Sequence, residues 1–471
     1  MIEYVFSSVA LLVLSAAMLS TAAVTRRLAK RLFTAPILVD LIFFFVFVKM
    51  SLYYALPAVM RICSNFEFER EDRVHILDVV RLYAVELISW AAWSLALLAI
   101  LRLFRGKGRR RLDLDDFLRL KRWESKVILL VLAAGFIAAQ IVALTGGEGG
   151  LFLECFKSLF FYGGLATGPF LMVVSLKYYG KIMFALGVCA SLLALLSLST
   201  RGAIVYLLLF SLFLVWCVVR ERRWKLFVLG ACVAVCASYF ALGGLFAGSI
   251  VIDDSGRLSV DLGVDAEKRE SRSILEEIEW RFGASTRIGT AFLRLYDRGE
   301  SAGLNPIKHS LMGYLPRSLD PEKPQPNTLH GDDIYSQGMY IIYGEIYGWD
   351  STSMVEFPTG AHFYWEFGIL GVLVLSVLSG IYVALCAQYF SKLGVVALPL
   401  LMAVFKPWGY VDPKIWISDV AMQIYQIILP LIVLVGVVRM MHGSGRRFRG
   451  FLRLVEAGGK LPSARDESAA G

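Results

Sequence analysis

Arginine spacing is the first chemical signal in this chain. In STRIGTAFLRLYDRG, Arg287, Arg294 and Arg298 follow one another at seven and four residues, so on a helix they fall along one stripe beside the apolar stripe of Ile288, Ala291, Phe292 and Leu295. Arg294 and Arg298 are then like charges one turn apart, an arrangement that costs a few tenths of a kcal/mol. An anionic ligand between them would remove the cost, and so would Asp297, Glu300 or the acids of EEIE on a solvated face. A fourth cation, Arg201 in SLSTRGA, sits on a very short turn between two apolar runs. Its guanidinium suits a phosphate held through two oxygens, or it reaches out to lipid headgroups. In GYLPRSLDPEKPQPN (313–327), Pro316, Pro321 and Pro324 hold Leu315, Asp320 and Lys323 extended. Arg317 and Lys323 are therefore displayed on a stiffened backbone or cross the surface as solvated charges.

Metal chemistry has no comparable signature. His75, His309, His330 and His362 are scattered without an HxxxH or HExxH pattern, and Asp332-Asp333 is a lone acidic pair. Glycine-rich phosphate loops and Ser-His-Asp motifs are absent. Most of the seven cysteines lie in apolar runs and form neither a disulfide framework nor a zinc spacing.

The elements that must position these residues are membrane helices. The chain is 57% hydrophobic with a mean hydropathy of +0.63, and its apolar runs are each long enough to cross a hydrocarbon core of ~30 Å. We therefore expect an all-α polytopic membrane protein with about eleven transmembrane helices. The expected spans are 4–24, 34–58, 82–104, 127–145, 159–176, 182–199, 203–219, 226–246, 361–388, 394–409 and 415–438. No basic segment precedes the first run, so it reads as a retained helix. The net charge of +9 does not form the soluble basic patch of a nucleic-acid binder; its cations cluster in alternate connections between the runs. Placing those connections in the cytoplasm puts the N-terminus outside and the C-terminus inside. Arg61, Arg70, Arg73 and Arg81, interleaved with acids, make the least comfortable external connection.

The chain so divides into an N-terminal transmembrane bundle (1–246), one large, external and partly helical loop (247–360), C-terminal transmembrane helices (361–440) and a basic cytoplasmic tail (441–471). In the loop, SRSILEEIEWRF and STRIGTAFLRLYDRG read as helices parted at Gly283. Two cytoplasmic segments read as amphipathic anchors on anionic lipid: RRLDLDDFLRLKRWESK, with Leu114, Phe117, Leu118 and Trp123 on one face, and GRRFRGFLRLVE.

The order of SLSTRGA, TRIGTAFLRLYDRG, LPRSLDPEKP and FYWEFGILG resembles the Wzy-type polysaccharide polymerases, the O-antigen polymerase group, over roughly 200–375. That resemblance implies a membrane-embedded glycosyltransferase of the bacterial cytoplasmic membrane. It would join undecaprenyl-diphosphate-linked repeat units into a surface polysaccharide, with undecaprenyl diphosphate as the leaving group. Such chemistry needs cations at the departing pyrophosphate and a base at the attacking hydroxyl. Arg201, Arg287, Arg294 and Lys323 are the expected pyrophosphate ligands, Arg317 acts on the leaving group, and His362 and Glu366, one helical turn apart at the membrane surface, take the acceptor side. Neither a cofactor nor a metal is expected. The expected partners are lipid-linked glycans, membrane lipids, a chain-length regulator and a flippase, with no nucleic acid. A ligase that moves a finished glycan from the same carrier, and a flippase or transporter, are the alternatives.

Overall fold

A computed structural model describes residues 2–63, 76–104, 117, 123–144, 151–178, 181–197, 201–218, 249–252, 258–261, 274–306, 358–405, 413–415, 420 and 423–441. The N-terminal part runs through α1 (Ile2–Leu32), α2 (Pro36–Met50), a π-turn at Ser51–Ala55 and α3 (Leu56–Cys63). It continues with α4 (Ile76–Leu103), α5 (Trp123–Leu144), α6 (Leu151–Tyr178), α7 (Lys181–Ser197) and α8 (Arg201–Val218). A short antiparallel hairpin, β1 (Ser249–Ile252) with β2 (Leu258–Asp261), precedes α9 (Ile274–Asp297). The rest is α10 (Thr359–Ser391), α11 (Ala397–Val404) and α12 (Ile424–Met441), which opens with a second π-turn.

Seven of these helices are long and apolar enough to cross a membrane: Phe6–Leu32, Pro36–Met60, Ile76–Leu103, Glu124–Val142, Ser158–Ser175, Thr359–Ser391 and Ile424–Met441. Three other expected spans correspond to the shorter apolar helices Lys181–Leu193, Leu208–Cys217 and Gly394–Val404, and the run 226–246 lies outside the described residues. Helices of spanning length among the described residues thus number seven, and the expected count of about eleven stands as an expectation. Their outward faces carry large apolar side chains such as Phe6, Leu95, Leu370 and Val433, as lipid contact requires.

The structure departs from the sequence expectation at two places. Residues 274–297 form a single helix that runs through Gly283; a glycine inside a helix costs only ~1 kcal/mol relative to alanine, too little to end one that packs well. Phe117, expected on a lipid-facing stripe, is 3% exposed within the apolar core.

The helices that matter for the site are α4, α9 and α10. α10 packs extensively along α4, and α9 lies against both. α10 is not straight. Phe367 and Gly368 leave helical geometry, and Gly368 has φ 63° and ψ −151°, a region that side chains with a Cβ essentially never occupy. The break folds the helix back on itself. Ser376 Oγ lies 2.6 Å from Ser89 Oγ, while a Cβ on Gly360 would stand 2.8 Å from Ser89 Cβ. Sixteen residues of straight helix would hold positions 360 and 376 about 24 Å apart, yet both meet the same turn of α4. A Cβ on Gly371 would sit 2.4 Å from the Phe363 carbonyl oxygen, so the two arms touch, and only glycine fits at that crossing.

Candidate functional site

The first arm of α10, residues 359–366, has problems at both ends that other elements solve. Pro358 stands at its N-cap and offers no side-chain cap, leaving first-turn N–H groups to find partners elsewhere. The Ala361 N–H donates to Glu86 Oε1 of α4 at 3.0 Å. At the other end the carbonyls of Trp365 and Glu366 accept from the N–H groups of Ala302 (3.1 Å) and Gly303 (3.2 Å), and Ser301 Oγ donates to the Glu366 carbonyl at 2.6 Å. Trp365 Nε1 donates to the Glu300 carbonyl at 2.6 Å. The segment just after α9 thus closes the C-terminal end of the arm.

On this arm His362 Nδ1 lies 2.8 Å from Glu366 Oε1, with both side chains fully buried. Sequence reasoning places the two one turn apart, and so they stand, but at the membrane surface it expects them accessible. They are enclosed instead, because the arm folds in behind α9. The Phe292 ring of α9 packs edge-on to the imidazole at 5.1 Å and stacks on Trp365 at 4.9 Å.

Beneath the arm lies a charge pair absent from the sequence-based candidates. Lys414 Nζ donates to Glu86 Oε2 at 2.7 Å and to Ser89 Oγ at 2.9 Å, with both charged side chains fully buried. The ammonium also stands 4.6 Å from the centre of the Trp90 ring. Burying an ion costs several kcal/mol, so a buried pair persists only where geometry and further hydrogen bonds compensate. The available signal was Glu86 itself, one acid inside the apolar run LYAVELISW.

The arginine stripe on α9 divides. Ile288, Phe292 and Leu295 are buried and Ala291 is half-buried, as an amphipathic helix requires. Arg294 is neutralised by Asp78 of α4, with Nη2 to Oδ2 at 2.7 Å and Nε to Oδ2 at 2.9 Å. Asp297 is engaged by Arg81, which also donates to the Tyr364 hydroxyl. These two cross-pairs clamp α9 onto α4. They also give Arg81, one of the cations that fitted the expected topology least well, an acidic partner. The Arg81 guanidinium holds the Asp297 carboxyl below the usual carboxylate range. Arg287 is half-buried with its Nε shielded from solvent, and Arg298 is exposed.

Arg201 opens α8. Arg317 and Lys323, with the whole of 313–327, lie outside the described residues, as do Asp332 and Asp333. Among the described residues no group of three or more His, Cys, Asp or Glu could hold a metal ion. The structure therefore brings together His362 and Glu366, sets α9 with Arg287 and Arg294 beside them, and adds Glu86 and Lys414. Compared with protein-family models, with curated protein sequences and with solved structures, the chain matches none.

Proposed function

We propose that this membrane protein polymerises lipid-diphosphate-linked oligosaccharide repeat units at the outer face of a bacterial cytoplasmic membrane. The observation that carries this reading is the His362–Glu366 pair, Nδ1 to Oε1 at 2.8 Å, held on an arm whose two ends are both tied to other elements. A carboxylate beside Nδ1 attracts the positive charge the ring gains when Nε2 takes a proton, which is the task of a base at an acceptor hydroxyl. The hydroxyl oxygen then attacks the anomeric carbon of the donor glycan, the bond to the carrier's diphosphate breaks, and the diphosphate leaves with the electron pair. Arg287 on α9, with Arg201, Arg317 and Lys323, supplies the positive charge this departure needs. Arg294, already balanced by Asp78, is the weakest of these ligands. The enclosure of His362 requires the arm or α9 to move for an acceptor to enter.

Transport of the lipid-linked glycan is the second reading, favoured by a different observation. A helix broken within its apolar run beside a buried Glu–Lys pair is also the architecture from which carriers build midplane sites. The glycan profile of a deletion strain separates the readings. A polymerase leaves a single repeat unit on its normal acceptor, a ligase leaves polymer stranded on the lipid carrier, and a transporter leaves repeat units trapped at the inner leaflet. Either of the last two profiles would overturn the proposal.

A further inference from the structure

Glu86 accepts the Ala361 N–H on one oxygen and Lys414 on the other, and it does so in fully buried surroundings. A membrane interior has no water to satisfy the first-turn N–H groups of a helix, and Pro358 offers no cap, so this carboxylate is the cap of the first arm of α10. Its charge also matches the positive end of the helix dipole. Lys414 balances that charge and is itself seated on Ser89 and against Trp90. Ser89 meets Ser376 on the second arm. One turn of α4 therefore fixes both arms: the first through Glu86, one residue away from His362, and the second through Ser89.

Packing alone gives no reason for an ion pair at this place, since apolar residues of similar volume are commonly as stable or more so. An acceptor for a backbone N–H is what an apolar residue could not provide. We infer that Glu86, neutralised by Lys414, is the positioning residue that sets the arm carrying His362 and Glu366, and that the acceptor oxygen, not the charge, is the part that matters. The inference rests on the proposed role of that arm, but its structural half can be read without any activity.

The test compares two uncharged double variants of the full-length protein. E86Q/K414M keeps an oxygen facing the Ala361 N–H, and E86L/K414M removes it. Amide hydrogen exchange in detergent, followed on peptides covering 359–366, should match wild type in E86Q/K414M and run roughly tenfold faster in E86L/K414M, as loss of one net hydrogen bond implies. Exchange along α1 and α6 should not change in either. Polymer yield from purified lipid-linked repeat units should follow the same order at equal protein amount. Should E86L/K414M fail to accumulate, E86K/K414E, which keeps a pair but loses the acceptor, carries the same expectation. Equal exchange in variants with and without the acceptor would overturn the inference, as would failure of E86Q/K414M to accumulate. An exchange pattern as expected, combined with full polymer yield in a His362→Ala protein, would leave the positioning intact and remove the catalytic role of the arm.

Discussion

Two sets of charges hold α4 to its neighbours, and they work under opposite conditions. Arg81–Asp297 and Arg294–Asp78 clamp α9 at the rim, with side chains 27–44% exposed. Glu86–Lys414, deeper along α4, is completely enclosed. Exposed pairs of the first kind contribute about 0–1 kcal/mol each, because water screens them and ordering long side chains costs entropy. The second kind adds little net stability as a pair but becomes severely unfavourable when one partner is lost. The rim clamp is thus tolerant and replaceable, while the buried pair is an all-or-nothing device. This contrast assigns seating of α9 to the rim and control of the α10 arm to the interior.

Lys414→Ala leaves a buried carboxylate without its counter-charge and should cost about 3–5 kcal/mol, read as loss of folded protein in detergent by size-exclusion profile. Near-normal amounts of stable Lys414→Ala protein would erase the distinction between the two sets. Next in size are the cations assigned to the leaving diphosphate: Arg317→Ala and Arg287→Ala should each slow polymerisation roughly 30- to 1000-fold, about 2–4 kcal/mol, at unchanged protein abundance. Lysine at Arg317 should rescue only in part, since an ammonium cannot repeat a planar two-pronged contact. Full polymer length and yield from a stable Arg317→Ala protein would return LPRSLDPEKP to the rank of a stiff surface segment. Gly368→Ala places a Cβ at φ 63° and 2.5 Å from the Tyr296 hydroxyl, and should cost at least about 1–3 kcal/mol in a thermal unfolding assay. An unchanged midpoint would mean that the fold-back of α10 is not set at this residue.

The smallest effects belong to the rim. Asp78→Asn or Asp297→Asn should change the unfolding midpoint little, and salt should mask even that. Because Asp297 is held below its ordinary value, its contribution is fully present at neutral pH, persists down to the ordinary carboxylate range near ~4, and is lost only as pH falls further through the lowered value. A midpoint that instead shifted between about pH 8 and 6 would point to a different titrating pair.

The sequence made the membrane class legible because hydropathy over twenty residues is a local property. It made His362–Glu366 legible because the pair is one turn apart. The fold-back of α10 was not legible: 361–388 reads as one continuous span, and the turn shows only in the backbone angles of Phe367 and Gly368. Nor were the pairings, since Glu86 and Lys414 are 328 residues apart and Arg294 and Asp78 are 216 apart. Charge pattern along a chain names the ions that need partners; only the packing of α4 against α9 and α10 decides which partners they get. Arg294 illustrates this: Asp297 and Glu300 are near it in sequence, yet Asp78, 216 residues away, is in contact with it.

The central claim is that the first arm of α10 supplies the base for glycan transfer, and its most direct test is polymerisation in vitro. Equal amounts of purified wild-type and His362→Ala protein would be supplied with lipid-linked repeat units, and the product ladder followed over time. A base at His362 predicts a ladder from the wild type and a rate reduced roughly 10²- to 10⁴-fold in the variant, compared at equal amounts of folded protein because the buried ring also contributes packing. A His362→Ala protein that builds the ladder at the wild-type rate would contradict it.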